Sequence, residues 1–379
     1  MTILTALWIA RVPALAFIVV GLFWGAFAAS VPQIKGQLGV SDSLFGFLLL
    51  GNAFGLMSAM WMAPAYDRWL GKRGMQFACL IFAPAFVLPG LASSPVMFFA
   101  ALLLMGMSSG VLDVLMNARV SELEARHKRT LMNVSHGMFS LAYAVAALLT
   151  GFSRDAGNPA YVALGCAAVL SLILALFLAM EPDGGEDDET STLGDNFPWG
   201  TVILCGLIVL VAFLTEGTVE TWSALHVERT LGGDALAGAL GPTMLGLTMA
   251  IGRIGGQGFS DRFKDEHVII IASFLASIGA VISALATSPM MAYVGFGVLG
   301  LGVSVIGPLG LALTGRKVRA RHRTSAIAKA AVMGFSGFFI APLIMGGLSD
   351  LFSLRVSYGV VAGIALLSLP LLWLLSRRS

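Results

Sequence analysis

Residues 12–31 read VPALAFIVVGLFWGAFAASV, an apolar run that follows Arg11 and contains no charged side chain. A helix of about 20 residues spans the hydrocarbon core of a bilayer, which is roughly 30 Å thick. The run is long for the apolar core of a signal peptide and lacks a small-residue cleavage site. We therefore interpret it as the first transmembrane helix.

Apolar runs of similar length recur along nearly the whole chain. The first six are Val12–Val31, Leu44–Tyr66, Met75–Leu91, Val96–Asn117, Met132–Phe152 and Pro159–Met180. The second six are Trp199–Trp222, Ala235–Phe259, Val268–Ala286, Met290–Thr314, Ala326–Leu348 and Leu354–Leu375. Because the runs lack the alternation of a membrane β-barrel, they predict an all-α membrane protein with twelve transmembrane helices.

The composition excludes a soluble protein. Hydrophobic residues make up 57% of the chain, charged residues only 12%, and the mean hydropathy is +0.88, whereas soluble domains carry roughly 25% charged residues. No basic stretch is interleaved with aromatic residues, so we expect no nucleic-acid partner. Cys79, Cys166 and Cys205 each lie in an apolar run without metal-ligand spacing, and we expect buried thiols, no metal and no cofactor.

An acidic interval divides the chain into two halves of equal size. Between Glu181 and Asp195 there are seven acidic residues and no Lys or Arg, which is typical of a flexible, solvated tether. We therefore predict a six-helix bundle over residues 1–180, an acidic cytoplasmic linker over 181–198 and a second six-helix bundle over 199–379.

Lysine and arginine are distributed unevenly between the two sets of predicted loops. The loops after odd-numbered helices hold only Lys35, Arg154, Arg229 and Arg355, whereas those after helices 2, 4, 8 and 10, with the C-terminal tail, hold most of the others. Because positively charged loops stay in the cytoplasm, this bias predicts a multi-pass protein of a bacterial-type inner membrane with both termini cytoplasmic.

The two halves carry similar sequences at the ends of their second helices. Tyr66-Asp67-Arg68-Trp69 is matched by Ser260-Asp261-Arg262-Phe263, and the basic pair Lys72 and Arg73 follows the first copy. This pattern resembles the loop motif of the major facilitator superfamily. Although Ala63 replaces the leading glycine of the first copy, an Asp at a helix end can hold a nearby Arg and so latch one face of a transporter. We predict a cytoplasmic gate whose candidate residues are Asp67, Arg68, Arg73, Arg253, Asp261 and Arg262.

Further stretches sharpen this resemblance. Val31-Pro32-Gln33-Ile34-Lys35, Asp113-Val114-Leu115-Met116-Asn117, Ser135-His136-Gly137-Met138-Phe139-Ser140 and Glu220-Thr221-Trp222-Ser223-Ala224 look like the YbjJ-type branch of that superfamily, which is similar to fucose-permease-like sugar transporters. The resemblance covers both halves. It implies two pseudo-symmetric six-helix bundles around a central cavity, and solute transport by alternating access.

Two glutamates stand out among the few ionisable residues inside the predicted helices. Glu216 and Glu220 are four residues apart on helix 7 and share one helical face, about 6 Å from each other. Two close carboxylates in a membrane cannot both ionise cheaply, which suits a proton carrier. We predict a role in proton coupling or solute binding, with Glu216 as the first candidate; alternatively, Glu220 is merely solvated at the membrane interface.

Other polar residues inside the first half are candidates for the same site. Asp113 on helix 4 and His136 on helix 5 have matching depths, so they either share a proton or form a static hydrogen bond between helices. Asn117 lies one turn closer to the cytoplasm. Asn52 and Trp24 fall near the middles of their helices, where either can contact a polar solute or simply pack.

The sequence as a whole favours a secondary transporter over an enzyme. No metal cluster, activated nucleophile or phosphate-binding loop is present. We expect a monomer that moves a small polar organic solute, in the class of sugars and sugar derivatives, with the proton gradient as its energy source. Efflux of amphipathic drugs or metabolites is the alternative, and a membrane sensor derived from a transporter is the alternative from another class.

Overall fold

The computed structural model describes residues 3–182, 197–256, 263–319 and 322–377. Most of the predicted linker, and Asp261 and Arg262 of the predicted gate, lie outside the described residues. A short helix, Ile3–Ile9, precedes the membrane-crossing helices. The first half contains α1 (Arg11–Leu38), α2 (Asp42–Leu48 and Leu50–Leu70), α3 (Gly74–Ala85 and Leu88–Leu91), α4 (Pro95–His127), α5 (Met132–Asp155) and α6 (Ala160–Ala175).

The second half repeats this arrangement. Its helices are α7 (Trp199–Leu225, continued by a π-helical turn, His226–Thr230), α8 (Ala235–Gly256), α9 (Asp265–Leu285), α10 (Pro289–Lys317), α11 (Arg323–Leu351) and α12 (Leu354–Ala365 and Ser368–Ser376).

The length and hydropathy of these helices identify them as candidate membrane spans. Ten segments of the described chain are long and apolar enough to span a bilayer. One of them, Asp42–Leu91, has 50 residues, about twice the length that one crossing needs, and it is divided into α2 and α3 by a 3₁₀ turn at Gly71–Arg73. With α6, an apolar helix of 16 residues, the described chain makes the twelve crossings that the sequence predicts.

The two halves pack in the same way. In the first half α1 packs on α5, α2 on α4 and α3 on α6, and in the second half α7 packs on α11, α8 on α10 and α9 on α12. The halves meet where α5 packs along α8 and where the start of α2 packs on α11, and α1 also contacts α7 and α8. These pairings confirm the predicted pseudo-symmetric all-α fold.

Loops alternate between two faces of the molecule. At one face the Gln33 amide, near the end of α1, donates to the backbone oxygen of Asn158, just after α5, at 3.2 Å. At the other face the backbone N–H of Met180, beyond α6, donates to the backbone oxygen of Lys72, beyond α2, at 2.9 Å. We call the first face the odd-loop face, because it carries the loops after odd-numbered helices, and the second the even-loop face.

Matching serine caps start α4 and α10 at the odd-loop face. The Ser94 hydroxyl accepts a hydrogen bond at 3.2 Å from the backbone N–H three residues on, and Ser288 does the same at 3.4 Å. Pro95 and Pro289 follow them, and proline suits the first position of a helix because it lacks the N–H that would have no partner there. The same local sequence thus starts the same helix of each half.

Two predictions about the helices need correction. The prediction ended α4 at Asn117, but the helix continues to His127, because the polar residues beyond the apolar run are still good helix formers. Cys79 and Cys205 are buried as expected, whereas Cys166 is exposed. It lies on α6, whose residues are apolar on every side, so the sequence did not reveal which face of this helix points outward.

Glycines let α1 lie directly against α5. A Cβ atom at Gly25 would overlap the backbone oxygen of Tyr143, and one at Gly21 would overlap the backbone oxygen of Phe139. Lipid provides no hydrophobic drive for helices to associate, so such close backbone contact supplies much of the packing energy.

We predict that Gly25→Ala lowers the melting temperature of the purified protein, because α1 must move away from α5. The expected loss is about 1–3 kcal/mol, the usual cost of overpacking. Gly165→Ala in α6 is the matched control, since a Cβ there meets nothing within 4 Å. It should leave the melting temperature unchanged or raise it slightly through better helix propensity. Equal melting temperatures for the two variants would contradict this account of the α1–α5 contact.

Candidate functional site

A buried ion pair lies where the two halves meet. Arg253 on α8 donates from Nη2 to Oε1 of Glu216 on α7 at 3.0 Å. Its Nη1 donates to Oγ of Ser140 on α5, in the other half, at 2.6 Å. All three residues are at least nine-tenths buried. An unpaired charge would be costly here, so this contact allows a guanidinium and a carboxylate to lie inside the membrane.

Glu220 lies one helical turn from this pair, towards the odd-loop face. Among the described residues it accepts no hydrogen bond and forms no ion pair, although it is partly buried. Tyr143 lies within electrostatic reach of both glutamates, and its hydroxyl is buried without a partner. The two carboxyl groups therefore differ, because Glu216 forms a direct ion pair with Arg253 and Glu220 does not.

Asp113 and His136 have different immediate neighbours. The Asn117 amide, on the same helix, donates to the backbone oxygen of Asp113 at 2.9 Å and to its Oδ1 at 3.3 Å. The His136 ring packs edge to face on Phe17, with 4.6 Å between ring centroids. No hydrogen bond joins Asp113 to His136 in the described ranges, and a proton-transfer role for either residue stays a prediction.

The remaining two candidates of the first half lie apart. Oδ1 of Asn52 is buried without a hydrogen-bond partner, so its amide can still bind a polar group. Trp24 is partly buried and packs edge to face on Phe23 and Phe27, at centroid distances of 5.3 and 5.7 Å. The tryptophan thus belongs to an aromatic cluster of α1.

The residues of the predicted gate have separate locations. Asp67 pairs with Arg119 of α4, at 2.5 Å, whereas Arg68 and Arg73 are exposed. Arg253 lies in the central pair with Glu216. Because Arg119 shares the half of Asp67, their ion pair fixes α2 to α4 and joins nothing across the two halves.

Sequence reasoning missed Arg119 because it assigned this residue to a loop. The residue is 1% exposed and follows Leu115 at a spacing of four, on the stripe of α4 that faces its bundle. That spacing is the signal that could have identified it. Ser140 and Tyr143 were missed for another reason. Hydroxyl groups are common in membrane helices, and nothing in the local sequence marks a hydroxyl that contacts an arginine of the opposite half.

We predict that Glu216→Gln destabilises the protein, because it leaves the buried Arg253 guanidinium without its carboxylate. Breaking one side of such a pair costs about 3–5 kcal/mol, measured as the change in the free energy of unfolding in detergent. The double variant Glu216→Leu with Arg253→Met should be more stable than either single variant. Ser140→Ala is the control for loss of a single hydroxyl, at about 1 kcal/mol. Additive losses in the double variant would contradict the pairing.

Comparison with known proteins agrees with this architecture. A family model described as Major Facilitator Superfamily matches residues 14–298 and 205–379. An uncharacterized MFS-type transporter of Yersinia pestis is 28% identical over 349 residues, which cover 92% of this chain and 91% of that protein. Membrane protein MosC of Rhizobium meliloti is 27% identical over 338 residues, which cover 89% of this chain and 83% of that protein.

Solved structures share the fold at low sequence identity. A D-xylose-proton symporter has a TM-score of 0.75 and 15% identity, with 98% of this chain and 97% of that chain covered. An inward-facing, occupied bacterial homolog of the human lysosomal transporter Spinster has a TM-score of 0.74 and 15% identity, covering 98% and 96%. Together with the family model, these findings show that the chain belongs to the Major Facilitator Superfamily, whose members are membrane transporters and not enzymes.

Proposed function

We propose that this protein is a proton-coupled secondary transporter that moves a small polar organic solute, in the class of sugars and sugar derivatives, by alternating access. The carrying observation is the pair of α7 carboxyl groups, of which Glu216 is neutralised by Arg253 and Glu220 has no partner among the described residues. The proposal includes a monomer in a bacterial inner membrane, both termini in the cytoplasm, no cofactor, and membership of the YbjJ-type branch.

Glu220 is the proton carrier in this proposal. Glu216 is held by a fixed positive charge, so changing its protonation would leave a buried guanidinium unpaired. Glu220 has no such constraint and can exist as a neutral acid or as a carboxylate, according to the solution that the cavity faces. We therefore assign proton coupling to Glu220 and the joining of the two halves to the Glu216, Arg253 and Ser140 contact.

Two hydrogen-bonding groups of the first half are available to a polar solute. The Tyr143 hydroxyl and Oδ1 of Asn52 are both buried without protein partners, and buried polar groups in native proteins rarely stay unsatisfied. A hydroxylated solute can satisfy such groups. The shared fold with a D-xylose-proton symporter and with nucleoside transporter NupG, at a TM-score of 0.74 and 13% identity over 97% of this chain and 98% of that chain, makes sugars and nucleosides the first solutes to test.

We predict that Glu220→Gln abolishes accumulation driven by a pH gradient but preserves exchange of solute across the membrane, because a neutral amide mimics the protonated acid permanently. The measurement is uptake by proteoliposomes of a radiolabelled panel of sugars and nucleosides, with and without an imposed pH gradient. Asp155→Asn, at an exposed position outside the central site, is the control for loss of an acidic group. Accumulation that does not depend on the pH gradient, or that persists in Glu220→Gln, would contradict proton coupling through this residue.

A further inference from the structure

A carboxylate at the odd-loop face receives hydrogen bonds from the opposite half. Asp42, the first residue of α2, accepts from Arg229 of α7 at 2.8 and 2.5 Å, through both carboxylate oxygens. It also accepts from the Ser349 hydroxyl of α11, and Lys35 of its own half lies 2.9 Å away. The Asp42 side chain is only 3% exposed. Two-point contact of this kind gives an ion pair both strength and a fixed geometry.

A second ion pair crosses between the halves nearby. Arg154 at the end of α5 donates to both carboxylate oxygens of Glu228, at 2.7 and 3.0 Å, and to the backbone oxygen of Ala29 at 2.7 Å. Glu228 and Arg229 are consecutive residues of the π-helical turn that ends α7. In this one turn Glu228 therefore binds α5 and Arg229 binds α2. π-Helical turns are frequent at functional positions.

A third contact caps a helix of one half with a side chain of the other. The Asp350 carboxylate, at the end of α11, accepts hydrogen bonds from the backbone N–H groups of Asp42 and Ser43, at 3.0 and 2.8 Å. These N–H groups belong to the first turn of α2 and have no partner within the helix. A carboxylate there also interacts favourably with the positive end of the helix dipole.

Close packing lies directly below these contacts. A Cβ atom at Gly46 of α2 would overlap the backbone oxygen of Pro342 in α11. Ala29, Ala147 and Ala239 form a fully buried cluster of α1, α5 and α8. At these two helix crossings the halves are in direct contact.

The ion pairs of the even-loop face have a different arrangement. Asp67 and Arg119 join α2 to α4, and Asp265 and Arg316 join α9 to α10. Both pairs lie within one half. In the described ranges the bidentate ion pairs that tie the halves together are therefore those of the odd-loop face.

We infer that Asp42, Arg154, Glu228, Arg229 and Asp350 form a clasp that holds the odd-loop face closed, and that this face opens only when the clasp separates. The location makes the clasp reversible. Each ion pair has one side chain that reaches the solvent, Arg229 at 43% and Glu228 at 19% exposed, whereas Asp42 and Arg154 are 3% and 6% exposed. Because all four lie at helix ends, water reaches the buried partners once the helices separate. The Glu216–Arg253 pair, buried in the centre, has no such alternative.

The reactivity of a buried thiol below the clasp tests this inference without any solute or pH gradient. A failure of the clasp inference is therefore separable from a failure of the proposed transport function. Cys166→Ser removes the exposed native thiol, and Ala147→Cys places a reporter at a position that is 0% exposed. The measurement is the rate at which a hydrophilic maleimide labels the reporter in detergent, where both faces meet water. Asp42→Asn should raise this rate about ten- to a hundredfold, since it weakens a charge-assisted contact.

Two further comparisons complete the test. Asp155→Asn removes an exposed acidic residue from the same face and should leave the labelling rate unchanged. Arg154→Gln and Glu228→Gln should each accelerate labelling, and their combination should be no faster than Arg154→Gln alone, because that variant already removes the whole Arg154–Glu228 contact. Folded Asp42→Asn protein that labels no faster than Asp155→Asn protein, or additive effects of Arg154→Gln and Glu228→Gln, would overturn the clasp.

Discussion

The bilayer interior offers no water to a buried charge, and this constraint explains the placement of the polar groups in this protein. Arg253 can lie in the centre because Glu216 and Ser140 receive its hydrogen bonds. Since these partners come from α7 and α5, satisfying one guanidinium also joins the two six-helix halves. Glu220 is the exception, a carboxyl group beside that pair with no partner in the described chain. In the proposed transport cycle this carboxyl group is the one that carries the proton.

The polar contacts between helices differ in kind between the two faces. In the described parts of the chain the bidentate ion pairs of the odd-loop face cross from half to half, whereas the pairs of Asp67 with Arg119 and of Asp265 with Arg316 strengthen each half internally. In the proposed alternating-access cycle the two bundles rock against each other, and the α5–α8 contact is the line about which they turn. Helix α7 contributes to both the proposed proton coupling and the inferred clasp, since it carries Glu220 and, about two turns further on, Glu228 and Arg229.

The periodic features of this fold could be predicted from the sequence. Apolar runs predict helices because each residue contributes locally to membrane burial. The helix starts are reproduced to within a few residues, whereas α1 and α4 continue beyond their apolar runs and α6 ends at Ala175 instead of Met180. The glutamates of α7 could be selected because a charge inside an apolar run is costly wherever it lies. Pairing between distant residues could not be predicted. Asp42 and Arg229 are 187 positions apart, and only the packing of two halves brings them together.

Distances across the two faces test the rocking of rigid halves most directly. One spin-label pair at Ser93 and Thr287 spans the odd-loop face, and another at Arg129 and Arg319 spans the even-loop face; all four positions are exposed. Pulsed electron resonance would measure both distances at acidic and at neutral pH, with and without a transported solute. The account predicts that a longer odd-loop distance always accompanies a shorter even-loop distance. Distances that stay fixed under every condition, or that lengthen together, would contradict it.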